Sequence, residues 1–219
     1  MRYLVAIALA IAGAGALGGC GGVVLGTSKT IDDPFGLLGR SADMDTSISG
    51  DGLTTHLTAT GTLQFTLNDQ ASSGNPLAPF EGMSRMEISQ KAKLVFSINS
   101  AGALPSTFTL RNVNLRVTVH ASDGGGTRTS APIEFTYPGF LTLDRQPDGR
   151  YTVRENLSFQ NSLDRFDGSS LITILVSGGV NTITANISFA ADTSSPNVPS
   201  GTTITTSLQF GEGSATVRW

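Results

Sequence analysis

Few side chains in this sequence combine a type and a setting that chemistry could use. The 219 residues include two histidines, His56 and His120, and one cysteine, Cys20. Either imidazole could act as a base or a metal ligand. No second ligand stands at metal spacing from either one, and both fall on the polar face or near the end of an alternating segment. An exposed or structural role is therefore expected for both, and no metal. Asp43-Met44-Asp45-Thr46-Ser47 opens like a calcium loop but does not continue as one. Ile48 stands where the sharp turn needs glycine, and Thr54 where a bidentate glutamate belongs. Loose calcium binding by Asp43, Asp45 and Asp51 is the alternative to a solvated acidic linker. Glu155 is the odd residue of Tyr151, Val153, Glu155, Leu157 and Phe159, which share one face. A buried carboxylate there would titrate high and could serve as an acid or base. Pairing with an arginine, or a place at a sheet edge, is the ordinary alternative. Serine is plentiful, yet no G-x-S-x-G elbow occurs, and Gly124 to Gly126 lack the lysine and following helix of a phosphate loop. No catalytic constellation emerges, so the expectation is a non-enzyme without a cofactor.

The lone thiol has a more specific setting. Arg2 supplies a positive start, Leu4 to Leu17 an apolar run, and Gly18 and Gly19 the small residues of a cleavage site. The run is short for a transmembrane helix. Leu17-Gly18-Gly19-Cys20 resembles the lipobox of bacterial lipoproteins. That resemblance covers residues 1–20 only and implies cleavage of the Gly19-Cys20 bond and a diacylglycerol on Cys20. The blocked sulfur could then be no nucleophile. Each buried methylene contributes about 0.8 kcal/mol, so two or three acyl chains hold a protein to a bilayer almost permanently. The resemblance implies a bacterial cell-envelope location. Gly21, in place of the aspartate associated with inner-membrane retention, leans toward the outer membrane in a diderm.

Composition narrows the partners. Only 14% of residues are charged and 7% aromatic, and the net charge is -3. The arginines are dispersed singly, without the clustered footprint that nucleic acid requires. No nucleic-acid partner is expected.

The elements come next. Residues 20–50 show no sustained period and read as a lipidated N-terminus and tether, with Phe35, Leu37 and Leu38 apolar enough to dock. From Leu53 to Leu67 the period is two, with Leu57, Ala59, Leu63 and Phe65 on one face and His56 with five threonines on the other. Met86 to Ile98 repeats the pattern. Phe108 to Val119 changes phase, which predicts a bulge or bend near Arg111-Asn112. Further strands are expected at 133–137, 151–159, 171–176, 180–189, 203–210 and 215–219. Turns are expected at 100–102, 123–126, 147–149, 177–179 and 211–213.

Eight or nine such strands read as an all-β, antiparallel β-sandwich of Ig-like architecture over residues 51–219. The functional expectation is a lipid-anchored envelope protein with a non-catalytic domain for binding or structural interaction. Its partners would be the membrane through the anchor, and an envelope protein or a polysaccharide. Three alternatives each carry a structural demand. A carrier of an acyl chain needs an apolar cavity lined by residues such as Phe96, Phe108 and Phe159. A hydrolase needs His56 or His120 beside a serine and a carboxylate. A small outer-membrane barrel, to which the Ala215-Val217-Trp219 ending is similar, needs an outward apolar band.

Overall fold

The computed structural model describes residues 28–68, 83–175, 180–194 and 198–219. The signal segment, Gly19, Cys20, the 70–82 loop and the Ser177-Gly178-Gly179 turn lie outside the described residues.

Alternation decides most of the architecture. In β3 (Thr54–Asn68), Thr55, Leu57 and Ala59 are buried while His56, Thr58, Thr60 and Thr62 face solvent. In β4 (Arg85–Asn99), Met86, Ile88, Leu94 and Phe96 point inward. The other strands are β1 (Ser28–Asp32), β2 (Ser41–Gly50), β5 (Thr107–Ser122), β6 (Ile133–Arg145), β7 (Tyr151–Val153), β8 (Leu157–Asp164), β9 (Val180–Ser194) and β10 (Thr203–Arg218). One helix, α1 (Arg165–Leu175), follows β8.

All pairing is antiparallel, in the order β1-β10-β2-β3-β9-β5-β6-β7-β4-β8, and β10 also pairs along its length with β4. The ladder thereby closes through β10, β2, β3, β9, β5, β6, β7 and β4. β1 and β8 flank the ring on β10 and β4. The all-β class agrees with the sequence. The two-sheet Ig-like sandwich is not what this pairing describes, because the ring lacks the free edges that would separate two sheets.

The inward faces fill the ring. Phe96 and Phe189, Phe108 and Tyr151, and Phe135 and Phe159 form tilted pairs with centroids 5.8, 5.3 and 5.9 Å apart. Leu94, Leu110, Leu115 and Ile133 have no accessible surface, so no water-sized void touches them. A closed sheet has the shape a carrier needs, but Phe96, Phe108 and Phe159 are spent on packing here. Outside, the exposed large apolar side chains among the described residues are Leu38, Leu53, Phe140, Phe166 and Val180, spread over separate elements. They make no continuous outward band of the kind a membrane barrel needs.

Several sequence expectations need correction. β1 and β2 place residues 28–32 and 41–50 in the sheet, so the folded unit begins by Ser28 and not at residue 51. Phe35 and Leu37 are fully buried as expected, while Leu38 is exposed. The strand expected from Leu171 is instead helix. Asp164 caps α1, its Oδ1 accepting from the amides of Phe166 (2.8 Å) and Asp167 (3.0 Å). Gly168, Leu171, Ile172 and Leu175 then form the buried stripe. Pro138 and Gly139 do not end β6. Pro138 pairs with Asn114 of β5, and its missing N–H faces the edge where no strand pairs. The segment 151–159 splits at 154–156 into β7 and β8. Gly211 to Gly213 form no turn; they are a bulge within continuous β10.

Candidate functional site

The phase change at Arg111-Asn112 is a bulge. Between Leu110 and Val113, β5 carries one residue more than β6, which runs from Leu141 to Gly139; the same extra residue shifts the register against β9. Asn112 adopts φ 49°, a left-handed conformation that asparagine tolerates better than most residues. Both Arg111 and Asn112 consequently face outward and are exposed.

Two neighbouring strands bring the rest of the site. His56 on β3 is the register partner of Asp192 on β9, and Asp192 is the register partner of Arg111 on β5. Asp192 Oδ2 accepts from Asn112 Nδ2 at 2.8 Å, and Oδ1 meets His56 Nδ1 at 2.6 Å. These bonds to its charged form, the one from Asn112 foremost, hold the Asp192 carboxyl below the ordinary carboxylate range. Facing an ionised acceptor, His56 Nδ1 must donate, which leaves Nε2 with the lone pair when the ring is neutral. The His56 and Asp192 side chains are 46% and 27% exposed, so the pair is open to a ligand. Asp51 supports the rim. Its Oδ1 accepts from the Leu53 and Thr54 amides at 3.1 and 2.8 Å, bonds that lower its pKa and set the entry of β3.

A groove of about 630 Å³ lies over these residues, bordered also by Leu53, Thr109 and Ser194. Arg111 makes no ion pair among the described residues. Phe140, 59% exposed, stands on β6 directly across the ladder from the bulge. The outer face thus presents, strand by strand, an imidazole, a carboxylate, a guanidinium with an amide, and an aromatic ring. Three inter-strand steps of about 4.8 Å make this row roughly 14 Å long.

The Asp192–His56 contact is two-thirds of a hydrolytic triad. The remaining third is missing, since no hydroxyl bonds His56 among the described residues. His120 is half-buried on β5 and bonds neither an acid nor a hydroxyl there. The arrangement can hold a polar ligand, and among the described residues no hydroxyl bonds His56.

No family model matches the chain and no curated protein matches it. Among solved structures, the chain is similar to a family 11 carbohydrate-binding module from Clostridium thermocellum in complex with a β-1,3-1,4-mixed-linked tetrasaccharide. That match has 12% identity and a TM-score of 0.21, over 81% of this chain and 91% of that one. It is also similar to the VP2 subviral particle of infectious bursal disease virus, at 13% identity and a TM-score of 0.16, over 89% of this chain and 41% of that one. Likenesses at these scores carry no argument about ligand or activity.

The other sequence candidates lie elsewhere. Glu155 is half-buried at the sheet edge where β7 stops, and its Oε2 accepts from the Thr142 amide at 2.7 Å. It takes the place of the missing strand there. Asp43 and Asp45 face outward along β2 while Asp51 is engaged with its own turn. No group of three His, Cys, Asp or Glu side chains converges among the described residues. Sequence reasoning singled out the bulge but not Asp192, Phe140 or the role of Arg111. The register that brings them together joins positions roughly 30 to 140 residues apart, beyond the reach of any local pattern.

Proposed function

We propose that this chain is a bacterial envelope lipoprotein, tethered through acyl chains on Cys20, whose closed β-domain is a non-catalytic binding module for an envelope component. The observation that carries the binding role is the open polar groove at the β5 bulge, where Asp192 orients His56 and Asn112 and, among the described residues, no hydroxyl bonds His56. The hydroxyl-rich outer faces of β3 and β9 give a wettable, uncharged surround. The Leu17-Gly18-Gly19-Cys20 sequence supports the anchor. The carrier alternative gains nothing from a filled interior.

Two measurements on the full chain test this. Produced in a bacterium with its own signal segment, the chain should fractionate with membranes and show a diacylglyceryl mass on Cys20. Cys20→Ser should move it to the soluble fraction. The anchored chain should also co-sediment with isolated envelope polysaccharide. A soluble, unmodified product, or no retention on any envelope fraction, would contradict the proposal.

A further inference from the structure

The groove also indicates the chemistry of its occupant, and this step rests on the binding role just proposed. His56 Nε2, Asn112 Oδ1 and the outward Thr109 and Ser194 hydroxyls offer several acceptors to the groove, and no partner among the described residues occupies the first two. A ligand that answers them must carry hydrogen-bond donors, which the hydroxyls of a sugar supply in number. Phe140, exposed across the ladder from the bulge and just beyond the groove's lining residues, offers an apolar surface that suits the C–H face of a sugar ring better than a solvated ion. Arg111 contributes a planar cation that no carboxylate among the described residues has claimed, and its fork fits a carboxylate in two hydrogen bonds. Asp192 stays ionised beside this cation, but Asn112 and His56 engage its two oxygens and it makes no ion pair with Arg111. A row of roughly 14 Å suits a short chain rather than a single ring.

We infer that the β5 bulge binds an acidic oligosaccharide, a sugar chain bearing ring carboxylates. Arg111 takes the carboxylate, His56 and Asn112 accept from hydroxyls, and Phe140 stacks one ring. An acidic peptide would use Arg111 but brings no row of hydroxyls and no C–H ring face for Phe140. A neutral glycan would leave the charge of the guanidinium unmatched.

The test is calorimetric titration of the full chain in detergent with oligogalacturonate and with its carboxyl-reduced counterpart. The acid form should bind about tenfold or more tightly than the reduced form, and that margin should shrink between about 0.05 and 0.5 M salt. Arg111→Gln should abolish the margin, bringing the acid form's affinity down to that of the reduced form. Phe140→Ala should weaken both forms by about three- to tenfold. Arg116→Gln, an outward arginine farther along β5 that pairs with Glu134, should change neither. Equal affinity for the two forms, or a margin that survives Arg111→Gln, would overturn the inference. So would the absence of binding to oligogalacturonate. If oligogalacturonate fails but the chain still sediments with envelope polysaccharide, the acidic-sugar assignment falls and the binding role stands. If oligogalacturonate binds through Arg111 and envelopes are not retained, the reverse holds.

Discussion

Among the described residues the sheet bulges in β5 at Arg111-Asn112 and in β10 between Phe210 and Gly213, and the two places are finished in opposite ways. At the β10 bulge the chain satisfies its own loose backbone. Gln90, 2% exposed, donates its amide to the carbonyls of Gly211 (2.9 Å) and Lys91 (3.0 Å). The 33–40 segment covers the other side, with Asp33 N–H donating to Gly213 O, Gly39 N–H to Phe210 O, and Phe210 N–H to Arg40 O. At the β5 bulge the extra residue turns two polar side chains outward over an open groove. One irregularity is closed by the protein, and the other is open to solvent. Bulges by themselves therefore do not mark sites. What marks one is side-chain hydrogen-bonding capacity left over after the backbone has been served.

That contrast fails if the β10 bulge tolerates change. Gln90→Leu removes the only side chain among the described residues that reaches the Gly211 carbonyl, so the expected cost is the largest here, about 1–3 kcal/mol per buried group left unpaired. A chain of this length should lose about 2–4 °C of Tm for each kcal/mol. An unchanged Tm would mean the bulge is not closed by Gln90. Asn112→Gly is the matching change in β5. Glycine accepts the positive φ, so backbone strain is not added, and the loss is the bond to Asp192 alone. Thermal scanning should show a smaller drop than for Gln90→Leu, while ligand affinity falls as His56 and Asp192 lose their brace.

Acid sharpens the same comparison. Asp192 in one bulge, and Glu212 in the other, titrate below their ordinary values because Asn112 with His56, and Lys91, bind their charged forms. A carboxylate whose folded-state pKa is depressed contributes stability above its unfolded pKa and loses it as pH falls through the folded value. Denaturation midpoints should therefore decline below about pH 4. The decline should be shallower in Asn112→Gly, which relaxes Asp192, than in the parent. Identical acid profiles would show that Asn112 does not set the Asp192 charge. The smallest effect belongs to Lys91→Ala. Its 2.7 Å contact with Glu212 joins side chains 64% and 77% exposed, and solvent screens such pairs. No measurable change in Tm is expected.

How far the sequence was legible follows from the same physics. β3 and β4 were plain because many apolar residues alternate in register with polar ones. The β5 bulge was plain because inward residues switch from Phe108 and Leu110 to Val113 and Leu115. β2 was not, since only Ala42 and Met44 point fully inward among aspartates and serines; its place is set by β3 and β10. Helix α1 was misread because Leu171-Ile172-Thr173-Ile174-Leu175 is β-branched and apolar. The spacing of Gly168, Leu171, Ile172 and Leu175 behind the Asp164 cap held the correct signal. Gly211 and Gly213 read as a turn because glycine permits one, while the long-range partner Gln90 was invisible. The site failed for that reason too: its residue types were ordinary, and only ring closure and register made them neighbours.

The most direct test of the contrast between the two bulges is amide chemical-shift mapping of the full chain with oligogalacturonate. The account predicts shifts clustered at residues 53–56, 107–112, 140 and 192–194, with 210–213 unmoved. Shifts centred on the β10 bulge, or none at the β5 bulge, would contradict it.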